Sequence, residues 1–402
     1  MLRHTRSVLV RAPHVKLHNL RRLDDRIAAN LDGVAVAGET GRELCTTALE
    51  TPWIGQAFAA AAAAIEAADH ARLARIFALA ATVPDVRRGL LSALAWWPAP
   101  QCQSLLRRLL SSFDEHRSLA LSAHRLHGLD PGPMLQASLS DPQVQLRASA
   151  ARAAGELGRL DLVDALLDAM NDDDAETAWQ ATRSVCLLGR RRAVFDRLWR
   201  EQASAWPWAD AALALLIQCA DFPHAQDIVR AVAKASPTST PSRRLVRAVG
   251  WLGDTALVPW LINLMDQPHL TRLAGESLSM ITGVDLAAMD LEVKPPAVMP
   301  AGPNDDPEDT DVALDEDDSL PWPDAAKLKV WWPAQSARFP RGVRYFMGAP
   351  PSAEQALQVL KTGCQRQRAL AAQWRCLLRA GTPLWNVAAP AWRQQQALAA
   401  SA

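Results

Sequence analysis

The chain has 402 residues, 49% of them hydrophobic, and carries 43 basic and 43 acidic side chains for a formal net charge of zero. A neutral chain has no bulk attraction for nucleic acid or for an anionic membrane, which argues against both as partners. Ala-rich helical patterns, few β-branched runs, and one Tyr beside fifteen Trp point to an all-α protein.

The chain opens on MLRHTRSVLVRAPHVKLHN, which lacks the apolar stretch and small-residue cleavage site of a secretory signal. AFAAAAAAIEAAD at 57–69 is too short to span a bilayer. Six cysteines lie scattered with no CxxC pair, as expected of free thiols in a reducing compartment. A cytoplasmic protein is the expectation. Within residues 1–84, read as an N-terminal helical cap, Leu20, Leu23, Ile27 and Leu31 share one helix face that Asp32-Gly33 should close.

A repeat occupies residues 85–291. In its clearest unit Val144, Ala148, Ala151 and Gly155 form a stripe of small residues on one helix. Leu157-Gly158 breaks that helix, and Val163, Leu166, Leu167 and Met170 form the apolar stripe of the next. The break position recurs at Pro98, Gly128, Gly158, Gly189, Ala220, Gly253 and Gly283, at steps of 30 to 33 residues. Val258, Leu261, Ile262 and Met265 repeat the second stripe after Gly253, and Ala225, Ile228, Val229 and Val232 repeat it after Ala220. A fixed period of this length predicts an α-solenoid of stacked helix pairs, each burying its apolar face against its neighbours.

Residues 292–324 are rich in Pro and hold nine acids between Asp305 and Asp318, so they read as an extended acidic linker. From residue 319 onward eleven Lys or Arg stand against Asp324 and Glu354 alone. The region 325–402 therefore reads as a basic C-terminal module, mainly helical. KLKVWWPAQSARFPRGVRYFMGAP suggests a short hairpin or loop, followed by three helices. The linker is expected to fold back onto this module.

The unit DPQVQLRASAARAAGELGRLDLVDALLDAM resembles a HEAT repeat of the short, thirty-residue kind. RAPHVKLHNLRRLDDRIAANLDGVAVAGETG, ITGVDL at 281–286, RGVRYFMGAP at 341–350 and GCQRQRALAA are similar to an uncharacterised proteobacterial HEAT-repeat family often found beside type VI secretion genes. That resemblance implies a cytoplasmic accessory or adaptor and transfers no catalytic residue.

No phosphate loop, dinucleotide fingerprint or nucleophile elbow is present. His124 and His127 lie three apart on one helix, but no carboxylate or Cys follows at ligand spacing. The reading therefore assigns no catalytic residue, metal or cofactor, and expects a non-enzymatic protein-binding scaffold. The alternatives are a HEAT-like nucleic-acid-binding or repair enzyme and a metal-dependent HEAT-like enzyme. Candidate partner contacts are Asp164, Asp168, Arg197 and Arg200 on second helices, with Trp251 and Trp260 as anchors. A second set is Trp331, Trp332, Arg341, Arg344 and Tyr345, a candidate anion or peptide site that the acidic linker would fill.

Overall fold

Helix-forming stripes and turn glycines recur throughout the chain, and a computed structural model describes residues 1–111, 116–235, 241–296 and 315–401. The amino-terminal region forms α1 (Leu2–Leu9), α2 (Leu17–Val36), α3 (Gly38–Thr47), α4 (Ile54–Glu66) and α5 (His70–Thr82). Six helix pairs follow: α6 (Pro84–Trp96) with α7 (Ala99–Leu110), α8 (His116–His127) with α9 (Pro133–Ser138), and α10 (Val144–Glu156) with α11 (Val163–Ala169). Next come α12 (Ala175–Leu187) with α13 (Arg191–Gln202), α14 (Ala209–Cys219) with α15 (Phe222–Lys234), and α16 (Arg243–Leu252) with α17 (Val258–Leu264). After α18 (Thr271–Thr282), β1 (Glu292–Val293) pairs antiparallel with β2 (Trp322–Pro323). The chain ends with α19 (Ala325–Gln335), α20 (Ala353–Thr362), α21 (Gln365–Leu378) and α22 (Ala391–Ala400). The protein is all-α.

Six of the predicted breaks follow the first helix of a pair, and Gly283 follows α18. Gly128, Gly158, Gly189, Gly253 and Gly283 all have positive φ, whereas α6 ends in extended conformation at Trp97, just before Pro98, and α14 at Ala220. First helices stack on first helices: α4, α6, α8, α10 and α12 in one series, α14, α16 and α18 in another. The small stripe makes this possible. A Cβ on Gly155 would collide with Ser184 of the next first helix, and the Ser184 hydroxyl donates to the Ala151 carbonyl at 2.7 Å. Val163, Leu166 and Met170 are buried, as are Val258, Leu261, Ile262 and Met265. In α2 the face of Leu20, Leu23, Ile27 and Leu31 is buried, but the helix runs through Gly33 to Val36. Nothing lies within 4 Å of a Cβ built on Gly33, and its φ is not positive, so the helix simply continues there.

The residues group into two compact units. The first comprises Met1–Arg11, Val15–Val194 and Lys361–Ala402; the second comprises Ala12–His14 and Phe195–Leu360. The expected basic module 325–402 is thus divided between them, because its parts pack on different repeats. Of its expected hairpin or loop, residues 327–335 instead belong to the helix α19, started by Asp324, whose carboxylate accepts the Lys327 N–H at 3.0 Å, whereas Phe346 and Ala349 do close a tight antiparallel turn.

In the first unit the returning chain lies along the ends of the first helices, whose last carbonyls have no partner inside the helix. The Leu384 N–H donates to the Glu156 carbonyl at 2.8 Å and the Asn386 amide to the Leu126 carbonyl at 3.1 Å. Arg393 donates to the Ala95 and Trp97 carbonyls at 2.8 and 3.2 Å. A Cβ on Gly158 would meet the Gly381 carbonyl, so this turn must stay bare. Glu156 also accepts from Arg125, Arg152 and Arg183 at 2.5, 2.8 and 2.8 Å, tying α8, α10 and α12 together. Burial pushes its pKa up, but the three guanidiniums prevail and hold the carboxyl well below the usual range. Within the same unit Arg6 pairs with Asp24 at 2.5 Å and donates to the Ala388 and Ala389 carbonyls, both at 3.0 Å. The Gln-Arg pattern of GCQRQRALAA is structural: Arg368 is fully buried and donates to the side-chain oxygens of Gln365 and Gln394.

In the second unit, backbone does the same work. The Tyr345 N–H donates to the Gly253 carbonyl at 2.9 Å, and the Met347 and Gly348 N–H groups donate to Met280 and Ile281 at 2.7 and 3.0 Å. A Cβ on Gly253 would collide with the Tyr345 carbonyl oxygen.

Candidate binding groove

In the second unit, residues of α15, α16 and α17 line a groove of about 450 Å³. Val229, Leu245, Val249 and Leu252 form its apolar floor, each no more than 7% exposed. Trp260, half-buried, forms a wall. Gln226, Arg230 and Asp254 are the groove's polar lining residues. Asp254 accepts the Gln226 amide at 2.7 Å and the Ala256 N–H at 2.9 Å, which starts the 3-10 turn Thr255–Leu257. Arg230, also lining the groove, is paired with Asp227. A mainly apolar lining with one large aromatic side chain and a few polar groups suits binding by burial, with the polar groups setting orientation.

Among the predicted contacts only Trp260 lines this groove. Trp251 is half-buried on α16 and outside it. Asp164 and Asp168 are exposed on α11. On α13 Arg200 is exposed, while Arg197 pairs with Glu201 at 3.3 Å. The floor residues went unrecognised because their spacing is that of an ordinary core stripe, and no residue type distinguishes a stripe that borders a groove.

The second predicted set does not form an open anion site. Tyr345 and Trp332 are buried in an aromatic cluster with Phe339, at centroid distances of 5.2 and 5.6 Å from that ring. Arg344 caps α14, donating to the Gln218 and Asp221 carbonyls at 3.3 and 3.4 Å. A cation at a helix C-terminus meets the negative end of its dipole, which accounts for this basic residue without an anionic ligand. Trp331 is half-buried beside Trp332, and Arg341 is exposed. Linker residues 297–314 lie outside the described residues. The described acids that follow pair with arginines of the repeats: Asp317 with Arg243 at 2.7 and 2.8 Å, Asp315 with Arg272 at 2.7 Å, and Glu316 with Arg247. The expected linker-to-tail contact is therefore replaced, for these residues, by contact with α16 and α18.

The chain matches no family model and no curated protein.

The two helix-borne histidines serve carbonyls. His124 Nδ1 lies 2.8 Å from the Ala120 oxygen, and His127 Nε2 lies 2.8 Å from the Leu94 oxygen. Burial pushes the His127 pKa down to about 4. Burial likewise raises the thiols of Cys102 and Cys376, to about 11 and about 12, which makes them poor nucleophiles near neutrality. No helix among the described residues is long and apolar enough to cross a membrane.

Proposed function

We propose that this protein is a non-enzymatic, protein-binding adaptor of the α-solenoid kind, and that the α15–α17 groove receives an apolar segment of its partner. The groove carries this reading: a floor of four buried aliphatic side chains, Val229 from α15 and Leu245, Val249 and Leu252 from α16, stands beside the Trp260 wall of α17, while the turns in the same unit are already covered by residues 344–348. The likeness of segments 11–41, 281–286, 341–350 and 363–372 to a family found beside type VI secretion genes supports a component of that machine as the partner.

The test is affinity capture by the full chain and by a Trp260→Ser variant, read by mass spectrometry. Recovery of one defined secretion component by the parent and its loss with Trp260→Ser supports the adaptor reading. Equal recovery by both chains overturns the assignment of the groove, and recovery of nucleic acid with no protein overturns the adaptor itself.

A further inference from the structure

A second cavity, of about 220 Å³, lies in the first unit, bordered by α1, α6 and the segment 386–390. Four of its lining residues are arginines (Arg3, Arg6, Arg11 and Arg88) and none is acidic. Two are already matched: Arg6 by Asp24, and Arg88 by Asp85 at 3.1 Å. Arg3 and Arg11 have no carboxylate partner among the described residues. Arg3 is held in place by Ser92, whose hydroxyl oxygen accepts its Nε–H at 2.6 Å, and by the Phe58 ring, 5.8 Å from its guanidinium carbon. That leaves its Nη1 buried with no hydrogen-bond partner. A buried donor without an acceptor costs free energy, and more so when it is charged. Burial and the neighbouring charge of Arg6 together push the Arg3 pKa down to about 10, so the guanidinium sits in a place that disfavours its own charge.

The cavity thus has two guanidiniums without a carboxylate hydrogen-bond partner, Arg3 and Arg11, and apolar side chains from Leu91, Trp96 and Leu126 among its lining residues. We propose that it is a binding site for a small phosphate monoester, whose phosphoryl group accepts from Arg3 and Arg11 while its organic part lies against Trp96. A phosphoryl group brings close to two negative charges and three acceptor oxygens, which matches the two unmatched guanidiniums in charge and in donor capacity. The volume admits a short organic substituent, not a nucleotide with its base. This site is separate from the α15–α17 groove and independent of the adaptor reading.

The experiment is calorimetric titration of the full chain with inorganic phosphate and with phenyl phosphate, against sodium chloride at matched ionic strength. Saturable binding of both is expected, tighter for phenyl phosphate. Arg3→Met should weaken it by about tenfold or more, as loss of a charge-assisted hydrogen bond does. Arg11→Gln, at an exposed position, should weaken it by a few fold and leaves the fold untouched. Without phosphate, Arg3→Met should raise the melting temperature, because it removes an unsatisfied buried donor. Heat equal to that of sodium chloride, or affinities unchanged in a folded Arg11→Gln chain, would overturn the site.

Discussion

The two units meet one physical problem with different chemistry. Every first helix ends in carbonyls that the helix itself cannot satisfy. The first unit supplies mainly side chains, beside the Leu384 N–H: Asn386 and Arg393 on the turns, Arg6 paired with Asp24, and Glu156 clasped by three arginines. The second unit supplies mainly backbone N–H groups, at residues 345–348, beside the Arg344 side chain on α14, and its acids face arginines nearer to solvent, with Arg243 35% exposed. The first solution concentrates stability in a few buried charges. The second spreads it over chain geometry and screened ion pairs. Mutations, pH and salt should therefore act differently on the two.

The largest contrast comes from Glu156→Gln. Three guanidiniums lose their shared carboxylate, and breaking such a buried cluster costs about 3–5 kcal/mol in chemical unfolding. The same residue sets an acid limit. Its folded pKa is depressed, so its contribution is complete above the unfolded value of about 4.3 and fades as pH falls toward the folded value. Glu156→Gln should flatten that acid loss. In the second unit Gly253→Ala is the comparable lesion. The left-handed φ of +73° and the Tyr345 carbonyl both oppose a Cβ, for about 1–3 kcal/mol of strain, seen as faster proteolysis near residues 339–352. Gly128→Ala, at φ +70° with nothing within 4 Å, should show the milder cost of φ alone.

His127 gives the next effect, again confined to the first unit. Its folded pKa of about 4 lies below the unfolded 6.5, so the unfolded chain takes up the proton first. Stability should fall by about 2 kcal/mol as pH drops from 6.5 to 4, and His127→Gln should remove that slope. The smallest effect is Asp317→Asn, about 1 kcal/mol at low salt. It should shrink as salt screens the partly exposed Arg243, and persistence of the full effect in high salt would erase the distinction between the units.

Local pattern revealed the elements, and distant pairing escaped it. The turn at Gly158 was legible because a small stripe, a glycine and an apolar stripe follow in helical spacing, and each is a short-range signal. The extent of α2 past Gly33 was not, since a glycine that ends a helix and one that sits inside it are the same letter. The destination of the C-terminal segment was also hidden. Arg344 and Tyr345 have the residue types of an anion or peptide site, and only the fold shows that one caps α14 while the other donates to Gly253. Trp260 stood out in the candidate groove by its size, whereas Val229, Val249 and Leu252 were indistinguishable from core.

Arg6 and its acceptors Ala388 and Ala389 are 382 and 383 residues apart in the chain. At about 5–20 residues per second, a ribosome needs roughly 20–80 s between making the first and making the second. During that interval the whole of the second unit is synthesised, and it can fold first even though it comes later in the chain. Arg6 can meet Asp24 early, but two of its hydrogen-bond acceptors arrive only near the end of synthesis, so the first unit is completed after the second has emerged.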